Sequence, residues 1–352
     1  MPNVDVVVIG ASAGGLQALL DIVADLPPSL PAAILVVVHT PTMSTQLPAI
    51  LARETKLAVQ YAEDNAEVLP GRVYVAPPDV HLLVTRSGLT LNHGPRENGF
   101  RPAIDPLFRS AAEAYGARVM GVVLSGALDD GTDGLALIKD AGGVTVVQDP
   151  DEALIPAMPI SAMNYLEVDH VLTAARIGEL IVSSSESTFN GVPVMARNNA
   201  DEPLERAMTV DDMTDRFGSP SALTCPDCGG ALWEVKKGKL SRYRCHVGHQ
   251  YSLEALDAGQ RDVVEEALWT AVRALEEHAD LRSRLSRRAG MAGLDRVSGG
   301  FADSARVAHR QAQLIRDLLT TEAPDVPAKR TASPPPRRRL AAPKRKQGRT
   351  RA

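Results

Sequence analysis

Hydrophobic and polar positions alternate along the first half of the chain in blocks that predict buried strands separated by helices. The apolar, mostly β-branched runs lie at residues 4–9, 33–38, 119–124 and 144–147. After the first run, four apolar residues recur at helical spacing: Leu16, Leu19, Leu20 and Val23. Fully apolar strands separated by helices are typical of a parallel sheet covered on both faces. The pattern therefore predicts an α/β fold with a doubly wound, mainly parallel, Rossmann-like sheet. Three weaker segments, 72–76, 81–84 and 89–92, predict a small antiparallel addition.

The pattern changes beyond residue 183. A polar stretch without periodicity follows and predicts a linker, with a short helix after Asp201. Alanine, leucine, glutamate and arginine then dominate at helical spacing over 253–285 and 302–320, and glycines at 290–300 separate the two segments. This arrangement predicts an antiparallel helix pair.

Composition excludes two classes of protein. The longest wholly apolar stretch is the seven residues 32–38, whereas a membrane helix needs about 20. No basic segment precedes an apolar one at the N-terminus, as a secretory signal would require. We therefore expect a cytoplasmic protein without membrane insertion.

Charge is distributed unevenly. The chain has a formal net charge of −5, yet its last 26 residues contain ten basic residues and no acidic one. Such a tail could bind nucleic acid or an anionic surface electrostatically. It contains no interleaved aromatic residues, which disfavours nucleic-acid binding. We expect a disordered, solvated tail and no nucleic-acid partner.

A small-residue turn, Gly10-Ala11-Ser12-Ala13-Gly14-Gly15, joins the first predicted strand to the first helix. Dinucleotide-binding folds carry G-x-G-x-x-G at this place, but Ser12 stands where the second glycine is needed. The residues instead fit the nucleophile turn G-x-S-x-G, in which backbone N–H groups at the helix N-terminus, here those of Ala13 and Gly14, can stabilise an oxyanion. A third interpretation is that Ser12 caps the helix.

Other reactive side chains follow other predicted strands. His39 comes directly after the second apolar run, and Asp129 and Asp130 follow the run that ends at Leu124. The carboxyl ends of parallel strands share one edge of the sheet, so these groups should meet near Ser12. A lone histidine is usually structural, and an Asp-Gly pair usually marks a turn. Their coincidence favours a serine–histidine–aspartate constellation over a nucleotide site.

Several blocks of this sequence together resemble the catalytic domain of chemotaxis protein-glutamate methylesterases, the CheB type. The blocks are 9–15 (IGASAGG), 39–41 (HTP), 69–77 (LPGRVYVAP), 101–108 (RPAIDPLF), 124–131 (LSGALDDG) and 157–159 (AMP). The resemblance implies Ser12 as nucleophile, His39 as base and Asp130 as its carboxylate partner. The family commonly has methionine at the position of Ala127 and at that of Thr40. Its members usually carry an N-terminal receiver domain, so a stand-alone catalytic domain is expected here.

The resemblance implies hydrolysis of glutamyl γ-methyl esters on a methylated chemoreceptor, by way of an acyl-enzyme and without a catalytic cofactor. Glutamine deamidation at the same site is a second activity found in the family. The alternative is a catalytically weak or inactive esterase fold that serves as a binding or regulatory protein of a chemosensory pathway.

The three cysteines form a cluster with two nearby histidines. Cys225 and Cys228 make a C-x-x-C knuckle, and Cys245 follows after a predicted hairpin. Two knuckles bridged by a hairpin are typical of a zinc ribbon, whereas redox C-x-x-C pairs occur in βαβ units. We predict a structural zinc site formed by these three thiolates and His249, with His246 as the other candidate for the fourth ligand.

The predicted organisation has five parts. They are a methylesterase catalytic domain at 1–183, a linker at 184–221, a zinc-ribbon-like module at 222–256, a helical hairpin at 257–320 and a basic disordered tail at 321–352. We expect the module at 222–256 and the helices after it to dock a regulatory protein.

Overall fold

The computed structural model describes residues 4–39, 46–185, 209–237 and 240–320. The chain forms two compact units, Met1–Val263 and Val264–Ala352, which are described separately. The predicted basic tail and most of the predicted linker lie outside the described residues. Within the described ranges, no helix has the length and apolar character needed to span a bilayer.

The first unit is built on a seven-stranded parallel sheet. The first nine strands of this unit, seven of which form the main sheet, are β1 (Val6–Ala11), β2 (Ala33–Val38), β3 (Ala58–Tyr61), β4 (Arg72–Val75), β5 (His81–Thr85), β6 (Gly88–Asn92), β7 (Val119–Val123), β8 (Val144–Gln148) and β9 (His170–Leu172). The main sheet has the order β3-β4-β2-β1-β7-β8-β9, and all its neighbours are parallel. The four strands predicted from apolar runs form its centre.

The predicted antiparallel addition is wrong for one of its three segments. Strands β5 and β6 do pair antiparallel, but β4 lies in the main sheet between β2 and β3. Its Val73, Tyr74 and Val75 are buried there. A segment of four residues that mixes polar and apolar side chains does not predict this burial. Edge strands β3 and β9 are short and partly exposed. They lack the continuous apolar run that marks a central strand, so the hydrophobic pattern does not predict them.

Helices cover both faces of this sheet, as predicted. They are α1 (Gly15–Ala24), α2 (Leu47–Glu54), α3 (Ile104–Tyr115), α4 (Thr132–Asp140), α5 (Ala157–Tyr165) and α6 (Ala174–Ser185). One buried cluster joins Val7 and Ile9 of β1 to residues of α1 and α6. The other joins Val6 and Val8 to residues of α3, α4 and α5. Because successive residues of β1 face opposite sides, one strand contributes to two cores.

A small three-stranded sheet follows α7 (Val210–Phe217) in the same unit. Strands β10 (Leu232–Lys237), β11 (Leu240–Cys245) and β12 (Gln250–Tyr251) pair antiparallel, which gives the predicted hairpin. Together with the knuckle at Cys225 and Cys228, they are called the ribbon below. Its small core contains Leu232 and Tyr251, and Leu128 from the loop after β7 packs against it.

Helix α8 (Leu253–Met291) starts in the first unit, and the described part of the second unit contains its remainder and α9 (Asp295–Thr320). The two helices run antiparallel, because Ser286 bonds Ser298 and Glu276 pairs with Arg316. The predicted break is shorter than expected. Gly299 and Gly300 lie inside α9, and the turn is made at Gly293, whose φ of 71° suits glycine.

Candidate active site

Ser12 occupies the turn between β1 and α1. Its N–H donates to the carbonyl oxygen of Ser125 at 3.0 Å, and its own carbonyl accepts from the N–H of Gly15 at 3.0 Å. The left-handed residue before the helix is Gly14, with φ 79°, and no side chain caps α1. The capping interpretation of Ser12 is therefore wrong, and its hydroxyl makes no hydrogen bond to any described residue.

Close backbone packing holds this turn in place. A Cβ atom added to Gly126 would lie 2.0 Å from Sδ of Met158 and 2.7 Å from Cβ of Ser12. One added to Gly15 would lie 2.8 Å from the carbonyl oxygen of Ser125. All three distances are far below van der Waals contact. Glycine at these positions lets the loop after β7 press directly against the serine turn.

His39 leaves the end of the neighbouring strand β2. Ala11 and Val38 are register partners, and the N–H of His39 donates to the carbonyl oxygen of Ala11 at 2.9 Å. Ser12 and His39 are thus the next residues on adjacent strands, whose backbones lie about 5 Å apart. The prediction that both emerge at one edge of the sheet agrees with this register.

The imidazole of His39 is held by two contacts. Its Nε2 lies 2.9 Å from Oδ2 of Asp130. Its ring stacks on Phe100, with centroids 3.7 Å apart and an angle of 6° between the planes. The remaining nitrogen, Nδ1, is buried and has no hydrogen-bond partner among the described residues. The ring is therefore fixed, with one nitrogen left for a further group.

Asp130 is buried and surrounded by donors. Its Oδ2 accepts from the N–H of Ile104 at 2.7 Å, and its Oδ1 accepts from Nδ2 of Asn98 at 3.0 Å and the N–H of Asp105 at 3.3 Å. Burial by itself would raise its pKa, but the hydrogen bond and charge of His39, with these other donors, bring the pKa down to about 2. Asp130 is consequently a carboxylate at neutral pH.

Asp129 has a different environment, although it is adjacent in sequence. Its Oδ1 accepts from Oγ of Ser252 at 2.7 Å. Burial raises its pKa to about 6, with the hydrogen bond from Ser252 opposing and the charges of Glu254 and Asp130 contributing. Asp129 is directed toward Ser252, and Asp130 is the carboxylate that contacts His39.

Sequence reasoning missed Asn98 and Phe100, which hold Asp130 and His39. Both lie in the loop between β6 and α3, and Asn98 has a φ of 53°. The Asn98-Gly99 pair signals a turn, but nothing local indicates that the turn reaches the ends of β2 and β7. The N–H groups of Ala13 and Gly14, predicted to face an oxyanion, lie at the exposed N-terminus of α1 and have no acceptor among the described residues.

The three cysteines and His249 form a second cluster, in the ribbon. Their ligand atoms all lie within 4.8 Å of one another. The Sγ atoms of Cys228 and Cys245 are 3.8 Å apart, and Nδ1 of His249 lies 3.6 Å from Sγ of Cys225 and 3.5 Å from that of Cys245. His246 does not belong to this group.

Known proteins resemble the first half of the chain. A family model described as CheB methylesterase matches residues 7–181. A putative protein-glutamate methylesterase/protein-glutamine glutaminase of Leptospira interrogans is 41% identical over 189 residues, which are 53% of this chain and 98% of that relative. A protein-glutamate methylesterase/protein-glutamine glutaminase of Pyrococcus abyssi is 40% identical over 190 residues, 53% of this chain and 52% of the relative. The crystal structure of the Thermotoga maritima CheB methylesterase catalytic domain superposes with a TM-score of 0.50 at 36% identity, covering 51% of this chain and 98% of that one.

Proposed function

The chain belongs to the CheB methylesterase family, and we propose that it hydrolyses glutamyl γ-methyl esters of a chemoreceptor-like protein with Ser12, His39 and Asp130 as catalytic residues. It is a carboxylic ester hydrolase. The observation that carries the residue assignment is the contact of 2.9 Å between His39 and Asp130 at the strand end beside Ser12. This contact leaves one buried imidazole nitrogen available.

The contact with Asp130 sets the tautomer of His39. A carboxylate only accepts hydrogen bonds, so Nε2 of His39 carries the proton that points to Oδ2 of Asp130. Nδ1 then has a free lone pair and acts as the general base. It takes the proton of the Ser12 hydroxyl while Oγ attacks the ester carbonyl carbon.

The imidazolium that forms is stabilised by Asp130, which stays ionised because its pKa is about 2. Collapse of the tetrahedral intermediate breaks the bond to the methoxy group, and Nδ1 returns the proton to release methanol. Water then attacks the acyl-enzyme with the same base and frees the glutamate carboxylate and Ser12. The N–H groups of Ala13 and Gly14 are our candidates for donors to the oxyanion.

The same acyl-enzyme forms from a glutamine side chain, with ammonia in place of methanol as the leaving group. The relatives from Leptospira and Pyrococcus are named for both activities. We include protein-glutamine deamidation as a second activity of this site. Ammonia release from a glutamine-bearing receptor fragment, absent in Ser12→Ala, is the corresponding measurement.

The test of the proposed function is methanol release from a methylated chemoreceptor fragment by the purified full chain. We expect release by the wild type and by the control variant Ser87→Ala, which changes an exposed serine of the β5–β6 turn. Ser12→Ala should be at least a thousandfold slower. Equal release by Ser12→Ala and wild type would contradict Ser12 as the nucleophile, and no release by the wild type would leave the inactive binding protein as the alternative.

The ribbon cluster fits a tetrahedral zinc ion. Zinc–sulfur bonds of about 2.3 Å and zinc–nitrogen bonds of about 2.0–2.1 Å place two sulfurs about 3.8 Å apart, and a sulfur and a nitrogen about 3.5 Å apart. The observed distances of 3.8, 3.6 and 3.5 Å agree with these values. We propose that Cys225, Cys228, Cys245 and His249 hold one zinc ion. Four protein ligands close the site, so its role is structural.

A further inference from the structure

The ribbon contacts the esterase domain directly behind Asp130. The N–H of Asn98 donates to the carbonyl oxygen of Gln250 at 2.8 Å, and the N–H of Ser252 donates to Oδ1 of Asn98 at 3.0 Å. Leu128, two residues before Asp130, packs against the ribbon core. The segment that contains Asp130 therefore lies between its own sheet and the ribbon.

Arg242 of β11 extends from the ribbon into this contact. Its Nη1 donates to Oδ1 of Asn98 at 2.9 Å, its Nη2 pairs with Asp105, and its Nε pairs with Asp133. The side chain is 11% exposed. The rigid planar guanidinium makes three charge-assisted or polar contacts in fixed directions, which the ammonium group of a lysine could not reproduce.

Asn98 transmits this contact to Asp130. Its Oδ1 accepts from two donors, Nη1 of Arg242 in the ribbon and the N–H of Ser252, the residue that follows β12. These bonds orient the amide so that Nδ2 donates to Oδ1 of Asp130 at 3.0 Å and to Oδ2 of Asp105 at 3.2 Å. The reverse orientation would place an amide oxygen against two carboxylates and is excluded by this pattern.

Arg242 also neutralises charge beneath the candidate active site. Asp105 is fully buried and accepts from the N–H groups of Gly131 and Gly134 at 3.1 and 2.8 Å. Burial and the nearby carboxylates of Asp130 and Asp133 raise the pKa of Asp105, and the guanidinium of Arg242 opposes this rise and favours the ionised carboxylate. The arginine is the cation that pairs directly with Asp105 among the described residues.

We propose that Arg242 is a positioning residue for ester hydrolysis, which acts through Asn98 and Asp105 to hold Asp130 against His39. The inference rests on the proposed function of Ser12, His39 and Asp130. According to this inference, the ribbon helps to hold the active-site residues in place, in addition to any role in docking other proteins. The competing interpretation is that Arg242 only attaches the ribbon to the esterase domain.

The test compares variants of the full chain on a small soluble aryl ester and on the methylated receptor fragment. We expect Arg242→Ala to lower kcat ten- to a hundredfold with KM for the small ester within twofold of wild type. Arg242→Lys should recover less than a third of the fall in log kcat that Arg242→Ala causes, because lysine lacks the planar guanidinium group. The control is Lys236→Ala, which removes an exposed cation of the same hairpin and should leave kcat unchanged.

Two readouts separate positioning from attachment. Millimolar guanidinium ion should restore kcat of Arg242→Ala several-fold, and the same concentration of sodium chloride should not. Asn98→Gly removes the amide and retains a residue that tolerates a φ of 53°. Because Arg242 acts in part through Asn98, the two losses should overlap, and the double variant should be slower than wild type by clearly less than the product of the two single losses.

The inference is overturned if Arg242→Ala keeps kcat within twofold, if the two losses multiply, or if kcat falls only with the folded fraction measured by circular dichroism. If Arg242→Ala does not fold, Arg242→Lys and Asn98→Gly decide by the same criteria. The proposed function fails separately, when wild-type hydrolysis does not depend on Ser12, and the inference then fails with it.

Discussion

Nε2 of His39 and Oδ2 of Asp130 lie 2.9 Å apart, although the residues are 91 positions apart in the chain. The contact joins the end of β2 to the loop after β7, on either side of the strand that leads to Ser12. Phe100 fixes the face of the imidazole and Asn98 fixes the carboxylate. This geometry depends on the end of β2, the loop after β7 and the loop between β6 and α3, so it should respond to changes in each of them.

The close approach at Gly126 should make this position intolerant of a side chain. In Gly126→Ala, Met158 can move its flexible sulfur away, but Cβ of Ser12 at 2.7 Å is attached to backbone. The serine turn must shift, so we expect kcat to fall tenfold or more and stability to fall by about 1–3 kcal/mol.

Steady-state kinetics and thermal unfolding measure both effects of Gly126→Ala. Gly299→Ala is the matched control, since a Cβ there meets no atom within 4 Å. It lies within α9, where alanine is favoured by up to about 1 kcal/mol. Full activity of Gly126→Ala would show that Gly126 does not press against the serine turn as described.

Removing Phe100 should loosen the imidazole of His39. The stacked pair contributes about 0.5–1.5 kcal/mol beyond simple burial, and its loss lets the ring of His39 rotate away from Asp130. We expect Phe100→Ala to reduce kcat about tenfold. Phe301→Ala, which removes a ring in the second unit that faces Arg282, should retain wild-type kcat. Equal kcat for both variants would contradict a role of the stacking.

Asp129 should make stability depend on pH. Its pKa is about 6 in the folded protein and about 3.9 in an unfolded chain. The folded state therefore holds a proton that the unfolded chain releases, and stability falls as pH rises from about 4 to about 6 and stays lower above that. In Asp129→Asn this pH-dependent loss of stability is absent, while the amide oxygen can still accept the hydrogen bond from Ser252.

We expect Asp129→Asn to be more stable than wild type at pH 7.5, by about 1–3 kcal/mol at about 1.4 kcal/mol per pKa unit. The difference should shrink toward pH 4. Urea unfolding at both pH values provides the measurement, with the exposed Asp262→Asn as control. A variant that is equally or less stable at pH 7.5 would contradict the raised pKa.

The two histidines of the ribbon should differ in their effect on metal content. Because His249 and not His246 lies with the three sulfurs, His249→Ala should reduce zinc to well below half an equivalent, and His246→Ala should retain about one. Elemental analysis of freshly purified protein gives the content. Removal of zinc by a chelator should lower the unfolding temperature. Less than half an equivalent in the wild type would contradict the site.

The central strands and the edge that carries Ser12 and His39 could be predicted because long apolar runs identify buried parallel strands and fix where they end. Strand β4 could not be assigned to the main sheet, because four residues of mixed polarity do not specify which neighbour they pair with. Helix α9 contains two glycines that look like a break, yet packing against α8 continues past them.

The supports of the site were harder to predict than the candidate triad. Asn98 and Arg242 are 144 positions apart and belong to different modules. Each is an ordinary polar residue in its local sequence, in a turn and in a hairpin strand respectively. Their role follows only from the docking of the ribbon on the loop after β6, and that contact has no local signal.

The most direct test of the central claim is the site and rate of reaction with a fluorophosphonate, which phosphonylates activated serine hydroxyls with loss of fluoride. Mass spectrometry of digested protein should find one adduct, on the peptide that contains Ser12, and the rate should fall at least a hundredfold in His39→Gln. An adduct on another serine, or an unchanged rate at Ser12 in His39→Gln, would contradict activation of Ser12 by His39.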